Sequence, residues 1–189
     1  RKTAGLSLFY TDLDRSKIEV RLIHKMGRHA VDSNMLFIQD LWIPEEDRIG
    51  AEGDGFKILL HGLNPERVLV AAEAVGIGRA AIARAARYAR ERVVFGRPIG
   101  MNQGIAHPLA KCWAQLEAAN LMVMKAAALF DRGLDCGVEA NTAKYLAGEF
   151  AFEACHTAML TLGGMGYAQE YHVERLLREV LIPRVAPIT

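Results

Sequence analysis

An alanine-rich stretch without proline, from Arg67 to Arg92, is the feature that most constrains how this chain can fold. Alanine is the best helix former, and small residues at intervals let neighbouring helices pack closely. Residues 64–66, which precede the stretch, read Asn-Pro-Glu. A capping side chain, a proline in the first turn and an acid near the positive end of the helix dipole together predict that a long helix begins there.

Three further helices are predicted after this one. The second spans about residues 104–132, and Gly133 fits its C-cap. The third covers about residues 138–162 and ends at a Gly-Gly pair, and the fourth covers about residues 172–181 and stops before Pro183. Four helices with short connections predict a mainly α fold, an up-and-down four-helix bundle.

The first 49 residues follow a different pattern. Segments 5–10, 18–23 and 34–43 are rich in β-formers, and the second alternates apolar and polar residues at period two. Three such strands make a poor domain alone. We therefore predict two parts: residues 1–49 as a few strands from the edge of a truncated β-domain, and residues 50–189 as the helical bundle.

Composition argues against several classes of function. The net charge is +1, from 23 basic and 22 acidic residues, which disfavours a nucleic-acid surface or a polybasic membrane anchor. The three cysteines and six histidines show neither a disulfide framework nor the spacing of metal ligands, so no metal is predicted. The chain opens with Arg-Lys-Thr rather than Met, so we expect it to be a fragment or a cleaved product of a longer protein.

The loop from Arg92 to Gln103 is the first candidate ligand site. It carries two arginines, Phe95, two glycines and two side-chain amides between predicted helices. A guanidinium group bonds two phosphate oxygens at once, and glycine lets the backbone approach a ligand closely. The alternative is a solvated interhelical loop, because such loops are commonly polar and exposed.

The second candidate is the segment 162–167, which reads Leu-Gly-Gly-Met-Gly-Tyr. A helix C-cap explains one glycine, whereas three in four residues suggest close approach to a flat or charged ligand. The third candidate is Glu66. Its simpler interpretation is a first-turn acid that complements the helix dipole.

These pieces, in this order, resemble the acyl-CoA dehydrogenase family. Residues 25–44 resemble the last strands of its middle β-domain, and residues 50–56 resemble the link into its C-terminal helical domain. The pattern Arg-x-x-Phe-Gly-x-Pro-Ile-x-x-x-Gln at 92–103 matches the family's flavin-binding loop. The Gly-Gly-x-Gly-Tyr of segment 162–167, followed by Glu-Arg at 174–175, matches its second signature.

The resemblance implies FAD as the cofactor. It implies that Arg92 contacts the FAD pyrophosphate, that Phe95 packs on the cofactor and that Gln103 bonds near its ADP part. Gly163 and Gly164 would line the adenosine side. In this family the loop reaches the flavin of a neighbouring subunit, which implies a homodimer or homotetramer.

The resemblance also implies an activity. Family members remove a proton from the α-carbon and a hydride from the β-carbon of an acyl-CoA, which gives a trans-2-enoyl-CoA, and electron-transferring flavoprotein usually reoxidises the flavin. We expect the residues of this chain alone not to turn over substrate. The expected location is the cytoplasm of a bacterium, with the mitochondrial matrix as the alternative.

Two positions in the family carry the catalytic base. Most members place it in a C-terminal Tyr-Glu-Gly-Thr loop, which aligns with residues 186–189, where Pro187 stands in place of the glutamate. A minority, including isovaleryl-CoA and long-chain dehydrogenases, carry it near the start of the long helix before an arginine. That position is Glu66, so Glu66 is the predicted base, with Arg67 as an orienting or structural partner and Asn64 near the CoA.

Two other functions stay open. One is a relative that runs another flavin reaction on the same fold, an acyl-CoA oxidase or a nitroalkane oxidase. Oxygen reactivity of the reduced flavin would separate it from a dehydrogenase. The other is a helical interaction module without cofactor, which a yellow full-length protein would eliminate.

Overall fold

The computed structural model describes residues 5–186 of the chain. It divides into two compact units, Arg1–Leu63 and Asn64–Thr189. Long helices dominate and the strands are few and short, so the predicted mainly α fold is confirmed. No helix within the described residues is long and apolar enough to cross a membrane.

The first unit contains two antiparallel strand pairs. Strand β1 (Leu8–Phe9) pairs with β4 (Arg48–Ile49), and β2 (Ile18–Leu22) pairs with β3 (Asn34–Ile38). Strand β4 was not predicted. Within β2 and β3 only Ile18 is buried, so most of their apolar side chains lie exposed. A two-stranded ribbon of this kind is only marginally stable by itself.

Helix α1 spans Gly55–Glu91, a length of 37 residues. The prediction that it begins at residues 64–66 is wrong. The carbonyl of Asp54 already accepts the N–H of Ile58 at 3.0 Å, and the helix continues through Pro65. Proline lacks an N–H and usually kinks or ends a helix, so one backbone hydrogen bond is missing at this turn.

Packing of one buried face stabilises α1 despite its internal proline. Beyond Pro65, one face of the helix presents a row of buried small and branched residues at helical spacing. These residues are Val68, Ala71, Ala74, Val75, Ala81, Ile82, Ala85 and Ala89. Glu66 therefore lies well inside the helix, and the predicted stabilisation by the helix N-terminus does not apply, because that effect falls off within the first turn.

Helices α2 (Gln103–Asp131) and α3 (Gly137–Leu162) have nearly the predicted bounds. Gly133 follows α2 with a φ of 66°, and its N–H donates to the carbonyl of Phe130 at 2.9 Å, as a C-cap glycine should. The buried side of α3 consists largely of alanine, which allows α2 to pack closely against it. Between α1 and α2 lies the hairpin of β5 (Val93–Val94) and β6 (Arg97–Pro98).

The fourth predicted helix is divided in two. Helix α4 covers Val173–Glu179, and Pro183 lies in the first turn of a second short helix, α5 (Ile182–Val185). Arg184 of α5 donates two hydrogen bonds to the Glu149 carboxylate of α3, at 2.8 and 3.0 Å. These bonds fasten α5 to α3.

Candidate functional site

The predicted flavin-binding loop folds as the β5–β6 hairpin. Phe95 and Gly96 form its tip with φ angles of 52° and 78°, the positive pair that a tight two-residue turn requires. The Phe95 side chain is 101% exposed, so none of its ring is covered within the chain. An apolar ring held in solvent on a turn that disfavours residues with a Cβ is suited to insertion into something outside the chain.

Hydrogen bonds within the loop separate the roles of its two arginines. Arg97 donates to the Asn102 side-chain oxygen at 2.6 Å, and Asn102 in turn donates to the carbonyl of Ile99 at 3.0 Å. The guanidinium of Arg92 is exposed and has no ion pair or hydrogen bond with another residue of the described chain. Arg92 is therefore the arginine left available for an anionic ligand, and Gln103 lies exposed at the first position of α2.

The three glycines after α3 lack a side chain for different structural reasons. Gly163 has a φ of 59° and a ψ of −133°, a backbone conformation that residues with a side chain rarely adopt. A Cβ at Gly166 would overlap the carbonyl oxygen of Met159. A Cβ at Gly164 would meet nothing within 4 Å, and this glycine is exposed. Nothing in the described chain requires the absence of a side chain at Gly164.

A cleft of about 560 Å³ lies beside this glycine segment, at the C-terminal end of α1. Tyr88 and Tyr171 form one wall, with their rings edge to face at 5.8 Å. The lining also includes Leu162, the residue before the glycines, and Arg90, two residues before Arg92. The hairpin and the glycine segment therefore lie at the same end of the bundle.

The predicted base and its neighbours lie at the other end. Glu66 is exposed on a face of α1 that also carries the exposed Leu69. Arg67 and Asn64 lie on the adjoining, partly buried face, where Arg67 donates to the Asn64 side-chain oxygen at 3.2 Å. The Asn64 amide nitrogen lies beside Gly137, 3.7 Å from the position a Cβ would take there.

The structure thus brings Asn64 and Arg67 together but not the two halves of the predicted site. From Glu66 to Arg92 the chain runs along α1, a separation of about 39 Å at about 1.5 Å per residue. That exceeds the length of one extended FAD molecule. Pro187, which stands at the family's usual base position, lies outside the described residues.

Sequence reasoning missed Lys144. It is 7% exposed and lies on the buried face of α3, where its charge interacts with that of Arg67. Burial, and then the Arg67 charge, lower the pKa of the Lys144 ammonium. Its spacing gave a signal, because it follows the buried Ala140 and precedes the buried Gly148 at four-residue intervals, along the apolar face of the helix.

Comparison with known proteins gives one consistent result. The family model described as acyl-CoA dehydrogenase, C-terminal domain, matches residues 53–186. An acyl-CoA dehydrogenase of Bacillus subtilis is 40% identical over 182 residues, which are 96% of this chain and 48% of the relative. CarC of Acetobacterium woodii, a subunit of a caffeyl-CoA reductase–Etf complex, is 36% identical over 178 residues, 94% of this chain and 47% of its own.

Solved structures agree with the sequence comparison. Butyryl-CoA dehydrogenase from Megasphaera elsdenii superimposes with a TM-score of 0.94 at 36% identity, covering 99% of this chain and 49% of that structure. The structure described as PigA with FAD and proline also gives a TM-score of 0.94, at 26% identity, with 99% and 49% coverage. The chain thus spans about half the length of the relatives it matches.

Proposed function

Because the chain belongs to the acyl-CoA dehydrogenase family, whose C-terminal domain covers residues 53–186, we propose that the whole protein oxidises an acyl-CoA thioester to a trans-2-enoyl-CoA. The observation that carries the proposal is a pair of exposed features at one end of the bundle, the hairpin with Phe95 and Arg92 and the glycine segment with Gly164, in a chain that matches this family. The bacterial relatives suggest the cytoplasm of a bacterium as the location.

FAD is the proposed cofactor and, when bound, accepts the hydride from the β-carbon. Arg92 would bind its pyrophosphate as a two-pronged donor, because the guanidinium is exposed and not engaged within the described chain. Phe95 would pack on the cofactor. Gln103 would bond near its ADP part, and Gly163 and Gly164 would leave room for the adenosine.

Glu66 is the proposed base. The α-proton of a thioester is weakly acidic, so its removal requires a carboxylate aimed at it within hydrogen-bonding reach. Glu66 is an exposed carboxylate on a face shared with the exposed, apolar Leu69, a surface suited to contact with an acyl chain. Pro187 has no group that could take the proton.

The proposed homo-oligomer rests on the distance between Glu66 and Arg92 along α1. Because Glu66 and Arg92 are farther apart than one FAD can span, the two residues of one chain would serve different flavins. The proposal therefore requires at least a homodimer, in which the hairpin of one subunit completes the site of its partner. Electron-transferring flavoprotein is the proposed electron acceptor, since the relative CarC belongs to a complex with Etf.

Glu66→Gln in the full-length protein tests the proposed function. We expect the variant to keep its FAD but to lose at least a hundredfold in the rate of flavin bleaching by acyl-CoA under anaerobic conditions, because general-base catalysis contributes about that much. Glu73→Gln, two turns further along the same exposed side of α1, is the matched control and should bleach normally.

Normal bleaching by Glu66→Gln would contradict the assignment of the base. A panel of acyl-CoA substrates with an artificial electron acceptor would test the activity itself. Rapid reoxidation of the reduced wild-type flavin by oxygen would instead favour an oxidase on the same fold.

A further inference from the structure

The cleft beside the glycine segment has a concentration of positive charge along α1. Arg84, Arg87 and Arg90 line it at intervals of three residues, which are neighbouring positions on a helix surface. From the first to the last, these arginines cover about 9 Å of the helix at about 1.5 Å per residue. None of them belongs to the proposed flavin contacts, so their presence in one cleft needs another explanation.

These arginines have no neutralising partner in the chain from residue 5 to residue 186. Arg87 and Arg90 are exposed, and within that range their guanidinium groups form no ion pair or hydrogen bond with another residue. Arg84 donates to the carbonyl of Ala80, one turn earlier in its own helix, at 3.2 Å. Like charges on adjacent turns destabilise a helix, whereas neighbouring guanidinium groups can together bind an anion with several oxygens. The arrangement therefore favours a phosphate-bearing ligand.

Another part of the lining is aromatic and apolar. Tyr88 and Tyr171, whose rings meet edge to face at 5.8 Å, are both partly buried, and the buried Leu162 also lines the cleft. Aromatic rings of this kind provide a surface on which the flat ring of a nucleobase can pack. A cleft that combines them with guanidinium groups fits a phosphorylated ring compound better than inorganic phosphate.

Two carboxylates, those of Glu91 and Glu170, line the cleft as well, together with the exposed His172. Among the described residues, neither carboxylate has an ion-pair partner. A carboxylate repels a bare phosphate but accepts hydrogen bonds from hydroxyl and amino groups, both of which a nucleoside can supply. The volume of the cleft, about 560 Å³, lies within the range of small-molecule sites.

We propose that this cleft binds a nucleoside diphosphate at a site separate from that of the flavin. Arg87 and Arg90 bind the two phosphate groups, the base packs on the tyrosine rings, and the carboxylates accept hydrogen bonds from the sugar. The residues proposed to contact FAD, among them Arg92, Phe95 and Gly164, do not line the cleft. The ADP half of FAD offers the same chemistry, and titration of the flavin-containing protein separates these two sources.

Calorimetric titration of the full-length, FAD-containing protein with ADP tests the proposal, with the flavin absorbance followed in parallel. We expect one ADP to bind per chain while the flavin stays bound. Pyrophosphate and adenosine should each bind at least about tenfold more weakly than ADP, because each lacks one half of the contacts. This comparison needs no substitution, so it does not depend on how a variant folds.

Substitution of the free arginines locates the site. Arg87→Gln and Arg90→Gln should each weaken ADP binding by about tenfold or more, because each removes charge-assisted hydrogen bonds to phosphate. Both side chains are exposed, so the urea midpoints should stay at the wild-type value. The matched control is Arg79→Gln, on the same helix but outside the cleft and paired with Glu117, which should bind ADP normally.

Release of one flavin for each ADP bound would overturn the proposal, because the nucleotide would then occupy the flavin's own site. So would the absence of ADP binding, wild-type affinity in both arginine variants, or pyrophosphate binding as tight as that of ADP. Failure of the proposed function is a separate result, in which no acyl-CoA bleaches the flavin. The ADP titrations decide the nucleotide site in either case.

Discussion

Gly164 and Gly166 are two residues apart, yet the structure gives them opposite reasons for lacking a side chain. We expect Gly166→Ala to destabilise the folded protein by about 1–3 kcal/mol, because its Cβ would overlap the carbonyl of Met159. Gly164→Ala, which fills open space, should leave the free energy of unfolding nearly unchanged and should weaken FAD binding in the full-length protein. Urea unfolding and flavin titration measure the two effects. Equal loss of stability in both variants would contradict this distinction.

Cys155 makes stability depend on pH. Burial raises the pKa of its thiol to about 12, and the neighbouring Cys112 adds to the shift. An unfolded cysteine ionises at about pH 8.5, so the unfolded state loses its proton first as the pH rises. The contribution of Cys155 to stability is therefore complete below about pH 8.5 and declines as the pH rises towards 12. The difference in unfolding free energy between wild type and Cys155→Ala should shrink over that range. A constant difference would show that the buried thiol does not cause the decline.

At the scale of helices, two adjacent residues of α2 allow the contribution of core packing to stability to be compared with that of a surface ion pair. Leu116 is fully buried and fills the space left by Gly78 of α1, whereas Glu117 forms a partly exposed ion pair with Arg79 at 2.6 Å. Leu116→Ala should cost about 2–5 kcal/mol of unfolding free energy, because it leaves a cavity between helices. Glu117→Gln should cost less than about 1 kcal/mol. Chemical denaturation compares the two, and a larger effect of the glutamate variant would show that the ion pair holds α1 on α2.

At the scale of the whole molecule, the separation of Glu66 and Arg92 predicts complementation between subunits. Glu66→Gln and Arg92→Ala homo-oligomers of the full-length protein should both be inactive. In a mixed dimer, the subunit with Arg92→Ala keeps its Glu66 and receives Arg92 from its partner, so one of two sites is intact. Random co-assembly should therefore restore roughly a quarter of wild-type activity. If mixtures stay inactive, Glu66 and Arg92 do not serve flavins in the crossed arrangement proposed above.

A structural feature of this protein can be predicted from the sequence when it depends on residues that are close together in the chain. The bounds of α2 and α3 follow from spacing, the Gly133 cap and the Gly-Gly stop, all of which act over a few residues. The start of α1 does not follow from such local signals. Residues 64–66 have the sequence of a helix start, but the helix begins earlier, at Gly55. Local capping preferences contribute about 1 kcal/mol, so packing of a long buried face can outweigh them.

The sequence by itself determined the mainly α fold, the arginine-bearing loop at 92–103 and the glycine segment at 162–167, since each is encoded in residue type and order. The choice of Glu66 over Pro187 as the base stays a prediction. Only the tertiary structure decided that Phe95 is fully exposed and that Lys144 lies on the buried face of α3. It also put the proposed base and the proposed cofactor-binding loops at opposite ends of the helical bundle. The physical reason is that exposure, charge proximity and distance depend on how helices far apart in sequence pack together, and helical spacing specifies only the face that each residue occupies.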